Sequence, residues 1–332
     1  MNPKVSILVP VYNVEKYIER CAMSLFEQTF EDIEYIFVND CTPDNSIEIL
    51  QTILERYPNR ASHIKIIHHE INKGLAGARN TAVKNAAGDY ILHVDSDDYI
   101  ELNAIEELYK TAINDNADIV VFDFFLEWGS TKKLVVQNWD EDKFIFINKI
   151  LSVDAMPSVW NKFFKRSLYY ENNIQVQEGI NFGEDFVTTP KLIYHSKKIS
   201  KVSNPFYHYI QTNTSSYTKS FNKKSIDNII CSLENLTKFF KSETDYNKFQ
   251  ESLLISKLRK KIEFVFNSDV DYWDELFLVF PEVNELNDLN FLMIRERIIY
   301  FFITNNSKFG LKIYKKFYNI AFQILQRAKG RG

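Results

Sequence analysis

Four times within its first 125 residues the chain alternates a short apolar run with a longer stretch of helical spacing, and few folds accommodate that order. Residues 4–9, 33–38, 64–67, 90–94 and 119–125 are rich in Val, Ile, Phe and Tyr and are bounded by turn-forming residues, as buried strands are. Between them, residues 14–28, 46–56, 75–86 and 102–114 space their apolar side chains three and four apart. In the first of these, Val14, Tyr17, Ile18, Cys21, Leu25 and Phe26 share one face. A strand that returns through a helix to the next strand builds a parallel sheet covered by helices on both faces. The expected fold is α/β, a mostly parallel sheet flanked by helices, with Pro10 ending the ladder of the first strand.

In such sheets ligands sit beyond the carboxyl ends of the strands. Three of those ends are polar here: Pro10-Val11-Tyr12-Asn13, Asn39-Asp40 and Asp95-Ser96-Asp97-Asp98. An extended backbone points residues i and i+2 to one side, so Asp95 and Asp97 can face a common point. Two carboxylates held that close repel unless a cation lies between them, and a hard divalent ion sharing a phosphate ligand is the natural occupant. A helix cap needs only one carboxylate, and Asp98 reads as the cap of the helix beginning near Leu102. A third cluster is Lys73, Gly74 and Arg79. A glycine entering a helix lets the backbone approach a ligand, and the helix start favours anions. Arg79, one turn inside, can brace Asp95 or reach the ligand.

Composition narrows the function classes. A net charge of -4 over 332 residues gives no case for a nucleic-acid partner. Cys21, Cys41 and Cys231 are widely spaced and odd in number, which fits a reducing compartment and neither a disulfide framework nor a zinc site. Residues 5–11 are too short for a signal peptide, and no run approaches the roughly 20 apolar residues of a membrane span. The expectation is a cytoplasmic protein.

The motifs Val5-Ser6-Ile7-Leu8-Val9-Pro10-Val11-Tyr12-Asn13, Phe37-Val38-Asn39-Asp40, Gly74-Leu75-Ala76-Gly77-Ala78-Arg79-Asn80 and Val94-Asp95-Ser96-Asp97-Asp98 resemble, in that order, the nucleotide-sugar domain of inverting glycosyltransferases of family 2, of bacterial surface-polysaccharide type, with the GT-A fold. The resemblance covers residues 4–125 and continues more thinly through Gly183-Glu184-Asp185-Phe186 to about Ser216. It implies that Pro10, Val11 and Tyr12 line a base pocket and that Asp40 accepts from a uracil ring N–H, against the plainer readings of Tyr12 as a core aromatic and Asp40 as a turn residue. An ionised carboxylate is acceptor-only, which matches a pyrimidine imide. Cys41 and Pro43 stand where glycine and threonine are commoner, and leave Asp40 in place. The resemblance favours ligand binding by Arg79 and Lys73, puts Asp95 and Ser96 near the uridine, and makes Asp97 a ligand of Mn²⁺ or Mg²⁺. It makes Asp185 the catalytic base, with Glu184 as a supporting acceptor or the alternative base. Taken alone, that acidic pair would be a helix start favoured by the macrodipole. Trp160-Asn161-Lys162 resembles a segment on the acceptor side, where Trp160 stacks on a sugar or simply fills core. His208 is a candidate third metal ligand or phosphate contact, set against a structural role. Ser215 and Ser216 are candidates for a loop closing over the diphosphate.

The remainder of the chain gives weaker signals: a strand at 133–136, a helix at 141–151, two short strands at 199–203 and 206–210, and helix from about 225 onward. Residues 1–220 form the expected catalytic domain, and residues 221–332 a helical C-terminal region. After Glu296 there is no acidic residue, while Lys308, Lys312, Lys315, Lys316, Arg327, Lys329 and Arg331 alternate with aromatic and aliphatic side chains. A basic helix with a broad apolar face reads as a peripheral contact with the inner membrane face. The competing reading packs it on the catalytic domain or on a second subunit of a homo-oligomer. The expected activity is metal-dependent transfer of a sugar from a UDP-sugar to a hydroxyl of a glycan or lipid-linked glycan. The rivals are an inactive nucleotide-binding scaffold and a sugar nucleotidyltransferase. The latter should carry a Gly-rich basic loop where Pro10-Val11-Tyr12-Asn13 stands.

Overall fold

The computed structural model describes residues 3–213 and 222–329, so Ser215 and Ser216 lie outside the described residues. Nine strands form one mixed sheet: β1 (Val5–Val11), β2 (Ile33–Asn39), β3 (Ile64–His68), β4 (Tyr90–His93), β5 (Tyr99–Ile100), β6 (Ile119–Trp128), β7 (Thr131–Val135), β8 (Lys162–Lys165) and β9 (Ile199–Ile210). Their spatial order is β3-β2-β1-β4-β8-β6-β9-β5, with β7 paired to β6 alone. The half from β3 to β4 is parallel, built by the expected crossovers through α1 (Ile18–Phe26), α2 (Ser46–Leu54) and α3 (Gly74–Asn85). Beyond it β8 inserts antiparallel between β4 and β6, and β6 then pairs in parallel with β9. The two short strands expected near residue 200 are one strand. It carries a register shift opposite Asp123, where Pro205, which has no N–H to give the ladder, is accommodated.

Pro10 does not end β1. The strand stays paired with β2 through Val11, while its pairing with β4 stops at Leu8. The missing N–H therefore costs no ladder bond, and the divergence of β1 from β4 opens the crevice that holds the site.

Alternation along the strands sends Val5, Ile7 and Val9 to one face, against α1, α2 and α4 (Ala104–Asn114). Leu8, Ile36 and Ile91 face the other way, onto α3, α5 (Lys143–Leu151), α6 (Ser167–Glu171) and α7 (Glu184–His195). Each fully buried Leu, Ile or Phe in these layers contributes roughly 1.5–3 kcal/mol. The C-terminal helices α8 (Lys223–Ser242), α9 (Gln250–Asn267), α10 (Trp273–Leu276), α11 (Ile294–Thr304) and α12 (Lys308–Lys329) build a third core around Trp273, Phe264 and Ile299. α8 belongs to both regions: Leu236 and Phe240 lie in the second core, Ile226, Ile229 and Leu233 in the third. Among the described residues, no helix is long and apolar enough to cross a membrane.

Candidate active site

A cavity of about 390 Å³ opens beyond the ends of β1 and β4. Its walls come from Pro10 to Val14, from Leu75, Ala78 and Arg79 on α3, from Asp95 to Asp97, and from Asn181 to Phe186 at the start of α7. Asp40, Pro157, Trp160, Tyr209 and Asn213 complete it.

Arg79 is the hub. Its guanidinium is buried, with Nη1 donating to Glu184 Oε1 and Asp185 Oδ1 at 2.6 Å each and Nη2 donating to Asp95 Oδ1 at 2.7 Å. Burial alone would favour the neutral form; the charges of Asp185, Asp95 and Glu184 more than offset it and raise the Arg79 pKa further. Of the two roles open from sequence, this geometry engages Arg79 as a brace. It pins the end of β4 to the start of α7, two segments about ninety residues apart. Gly183 makes that junction with φ 85°, a left-handed conformation that glycine adopts without steric cost, and places both acids in the first turn of α7. The pair's own chemistry is strained by burial. Glu184 is pushed up to about 8, by burial first and then by the charge of Asp185, with Arg79 opposing. Asp185 is raised in the same direction by burial, against the pull of Arg79.

At the end of β4, Asp97 is pushed up to about 6 by burial and by the neighbouring Asp95 charge, while a hydrogen bond from Asn213 Nδ2 at 2.7 Å opposes the shift. A carboxylate whose charge is made costly by burial and by a neighbouring anion at a cavity wall is one that a divalent cation would relieve. Among the described residues, no group of three or more His, Cys, Asp or Glu could hold such an ion by itself. Asp97 therefore fits a metal only as part of a ligand set completed by phosphate oxygens.

Asp98 is not a helix cap. It is fully buried and accepts from Tyr207 Oη and from the Ile210 N–H, both at 2.8 Å, while the same Tyr207 Oη accepts from the Asp95 N–H at 3.0 Å. It thus fastens β9 beneath the aspartate turn. His208 is a second correction. It does not line the cavity: Nδ1 lies 2.7 Å from Glu127, Nε2 lies 2.9 Å from Glu101, and the ring stacks on Tyr99. With one nitrogen engaged by Glu127 on β6 and the other by Glu101 just past β5, His208 has no ring nitrogen left to ligate a metal at Asp97.

Asp40 lines the cavity, yet most of its capacity is used internally. Oδ1 accepts from the Lys73 N–H at 2.8 Å and meets His69 Nδ1 at 2.6 Å, and Oδ2 accepts from the Gly74 N–H at 2.7 Å. The anion at the start of α3 is thus Asp40 itself. With about four acceptor positions on a carboxylate, these three contacts leave one on Oδ2 unused. The Lys73 side chain is exposed and outside the cavity lining, so its backbone, not its ammonium, meets the site. Gly74 has φ 74°, and a Cβ there would collide with the Asn181 side chain. The glycine admits Asn181 to the cavity wall rather than exposing its own N–H. Pro10, Val11 and Ser96 line the cavity, and Tyr12 stands 41% exposed at its rim, not in the core.

Trp160 reaches the cavity but is nearly buried, stacked on Tyr207 at 4.5 Å and edge-on to Phe124. Lys162 is wholly buried, with burial lowering its pKa to about 7, and donates to the Met156 and Ser158 carbonyls and to Asn161 Oδ1. It staples the loop that carries Pro157 and Trp160. Asn181, Phe182 and Asn213 were not singled out from sequence. For Asn181 and Phe182 the only available signal was adjacency to Gly183-Glu184-Asp185.

Residues 6–172 match the family model described as Glycosyl transferase family 2. The putative glycosyltransferase EpsH of Bacillus subtilis is 30% identical over 258 residues, covering 76% of this chain and 73% of that protein. A poly(ribitol-phosphate) beta-glucosyltransferase of Bacillus spizizenii is 35% identical over 214 residues, 62% of this chain but only 32% of that longer protein. The crystal structure of residues 1–349 of TarS from S. aureus in complex with UDP superposes with a TM-score of 0.71 at 21% identity, over 96% of this chain and 92% of the other. Matched by family model, by relatives and by fold, the chain belongs to glycosyl transferase family 2 and is a nucleotide-sugar-dependent glycosyltransferase with the GT-A fold.

Proposed function

We propose that this enzyme transfers a sugar, with inversion, from a UDP-sugar to a hydroxyl of a glycan or lipid-linked glycan acceptor in the cytoplasm, assisted by Mn²⁺ or Mg²⁺. The observation that carries the reading is the Arg79 hub, which gathers Asp95, Glu184 and Asp185 around one cavity also lined by Asp40 and Asp97. UDP as the donor nucleotide is supported by the free acceptor position on Asp40 and by the TarS structures solved with UDP and with UDP-GlcNAc. A surface-glycan acceptor is supported by relatives named for transfer to poly(ribitol-phosphate).

In this mechanism Pro10, Val11 and Tyr12 seat the base, and Asp95 and Ser96 the ribose side. Asp97 would hold the divalent ion, which when bound neutralises charge growing on the departing diphosphate. Asp185 takes the proton of the acceptor hydroxyl as its oxygen bonds to the anomeric carbon. The bond from that carbon to the diphosphate oxygen breaks, and UDP leaves with the electron pair. A base raised above the ordinary carboxylate range takes that proton more readily. Glu184, pushed up to about 8, keeps its own proton near neutrality and supports Asp185 through their shared Arg79 Nη1. Residues 1–220 are proposed to carry this chemistry.

Screening UDP-, GDP- and dTDP-sugars for nucleoside diphosphate release with Mn²⁺ tests the reading. Release from one UDP-sugar that is lost in Asp185→Asn supports it; release from GDP-sugars alone overturns the choice of donor.

A further inference from the structure

α12 has two apolar faces. At about 100° per residue, Leu311, Tyr314 and Tyr318 fall within about 60° of arc. These three pack into the third core, with Tyr318 edge-on to Phe266. A different stripe, Phe309, Ile313, Phe317, Ile320 and Ile324, occupies about 80° of arc centred about 130° away. That stripe is exposed along its whole length, with Phe309 78%, Phe317 68% and Ile324 62% accessible. A continuous exposed stripe of large apolar side chains marks a surface that meets something.

The charges bordering it choose the partner. Lys312 and Lys316 are exposed and flank the stripe on one side. Lys308 and Lys315 turn back to the protein, onto Asp274 and the Ser268 carbonyl. No acidic residue follows Glu296 in the chain. Two copies joined through this stripe would bring lysines together with no acid on either helix to answer them. An anionic surface supplies both the apolar layer and the countercharge.

We propose that α12 lies in the headgroup layer of an anionic membrane. The Phe309, Ile313, Phe317, Ile320 and Ile324 stripe dips into the acyl boundary, and Lys312 and Lys316 meet lipid phosphates. The Leu311, Tyr314 and Tyr318 face stays on the protein, so the helix is a fixed joint between enzyme and bilayer. This goes beyond the transfer reaction and does not depend on it: nucleoside diphosphate release in solution reports on that reaction, vesicle binding on this surface.

The test is flotation of the full chain with phosphatidylcholine vesicles, with and without phosphatidylglycerol. Wild type should float with the phosphatidylglycerol vesicles alone, and less so at high salt. Lys312→Gln with Lys316→Gln should lower partitioning about 25-fold, at about fivefold per lysine. Phe309→Ser, Phe317→Ser and Ile320→Ser together should lower it at least about tenfold. Both variants alter exposed side chains, so each should keep the wild-type thermal midpoint and nucleoside diphosphate release. Failure of wild type to float, or equal flotation of the triple variant, overturns the proposal. So does a wild-type dimer in sedimentation that the triple variant dissolves without any vesicle binding.

Discussion

Arg79 Nη1 donates to Asp185 Oδ1 across 2.6 Å, joining two residues 106 positions apart in the chain. The base proposed for catalysis is therefore not free-standing. Its position and its proton affinity both depend on a cation delivered by a different helix.

Asp185→Asn keeps the shape of that contact and removes the ability to accept a proton. Its kcat should fall about 10²- to 10⁴-fold, with donor KM within a few-fold of wild type. Steady-state release of UDP at saturating acceptor reads both parameters. An unchanged kcat would move the base elsewhere.

Removing Arg79 acts on folding as well as on turnover. In Arg79→Met, Asp95 and Asp185 lose their shared countercharge inside the protein, and Glu184 loses the donor to its Oε1. Breaking a buried pair in this way costs about 3–5 kcal/mol. Urea unfolding should show a loss of that size, together with loss of activity. A variant as stable as wild type would mean that the three acids are well solvated.

Stability should depend on pH through Glu184. Its folded-state pKa is pushed up to about 8 from an ordinary 4.5, so across that window the folded protein holds a proton that the unfolded chain has released. Stability then falls as pH rises from 4.5 to 8. Glu184→Gln should flatten that part of the profile, measured as urea midpoints at several pH values. An identical slope in the variant would assign the proton to another group.

Metal removal should act through Asp97. Chelation should abolish UDP release, and added Mn²⁺ or Mg²⁺ should restore it in wild type and far less in Asp97→Asn. Full activity in chelator would leave Asp97 without the role proposed for it.

Much of this site lay open in the chain because strand ends and helix starts are local properties. Periods of two and 3.6 residues placed β1 to β4 with the helices between them, and polarity at the strand ends marked Asp40, Asp95 and Asp97 as neighbours of one crevice. The misreadings share one cause. Asp98 looked like a cap because a carboxylate before a helix commonly is one, yet Tyr207, 109 positions later, claims it. His208 looked available until Glu101 and Glu127 arrived from two other segments. Lys73 and Gly74 pointed to a bound anion, and the anion proved to be Asp40, supplied by the chain itself.

Pattern along a chain reports each residue's own preference for exposure and backbone shape, and that was enough for the order of elements and for which ends are polar. It says nothing about which buried donor will find which acceptor. The insertion of β8 beside β4, the three acids on Arg79 and the division of α12 into a packed and an open face were settled only when distant segments came within hydrogen-bond or van der Waals reach. Those contacts extend over a few ångströms in space and up to a hundred or so positions in sequence, so no window on the chain contains them.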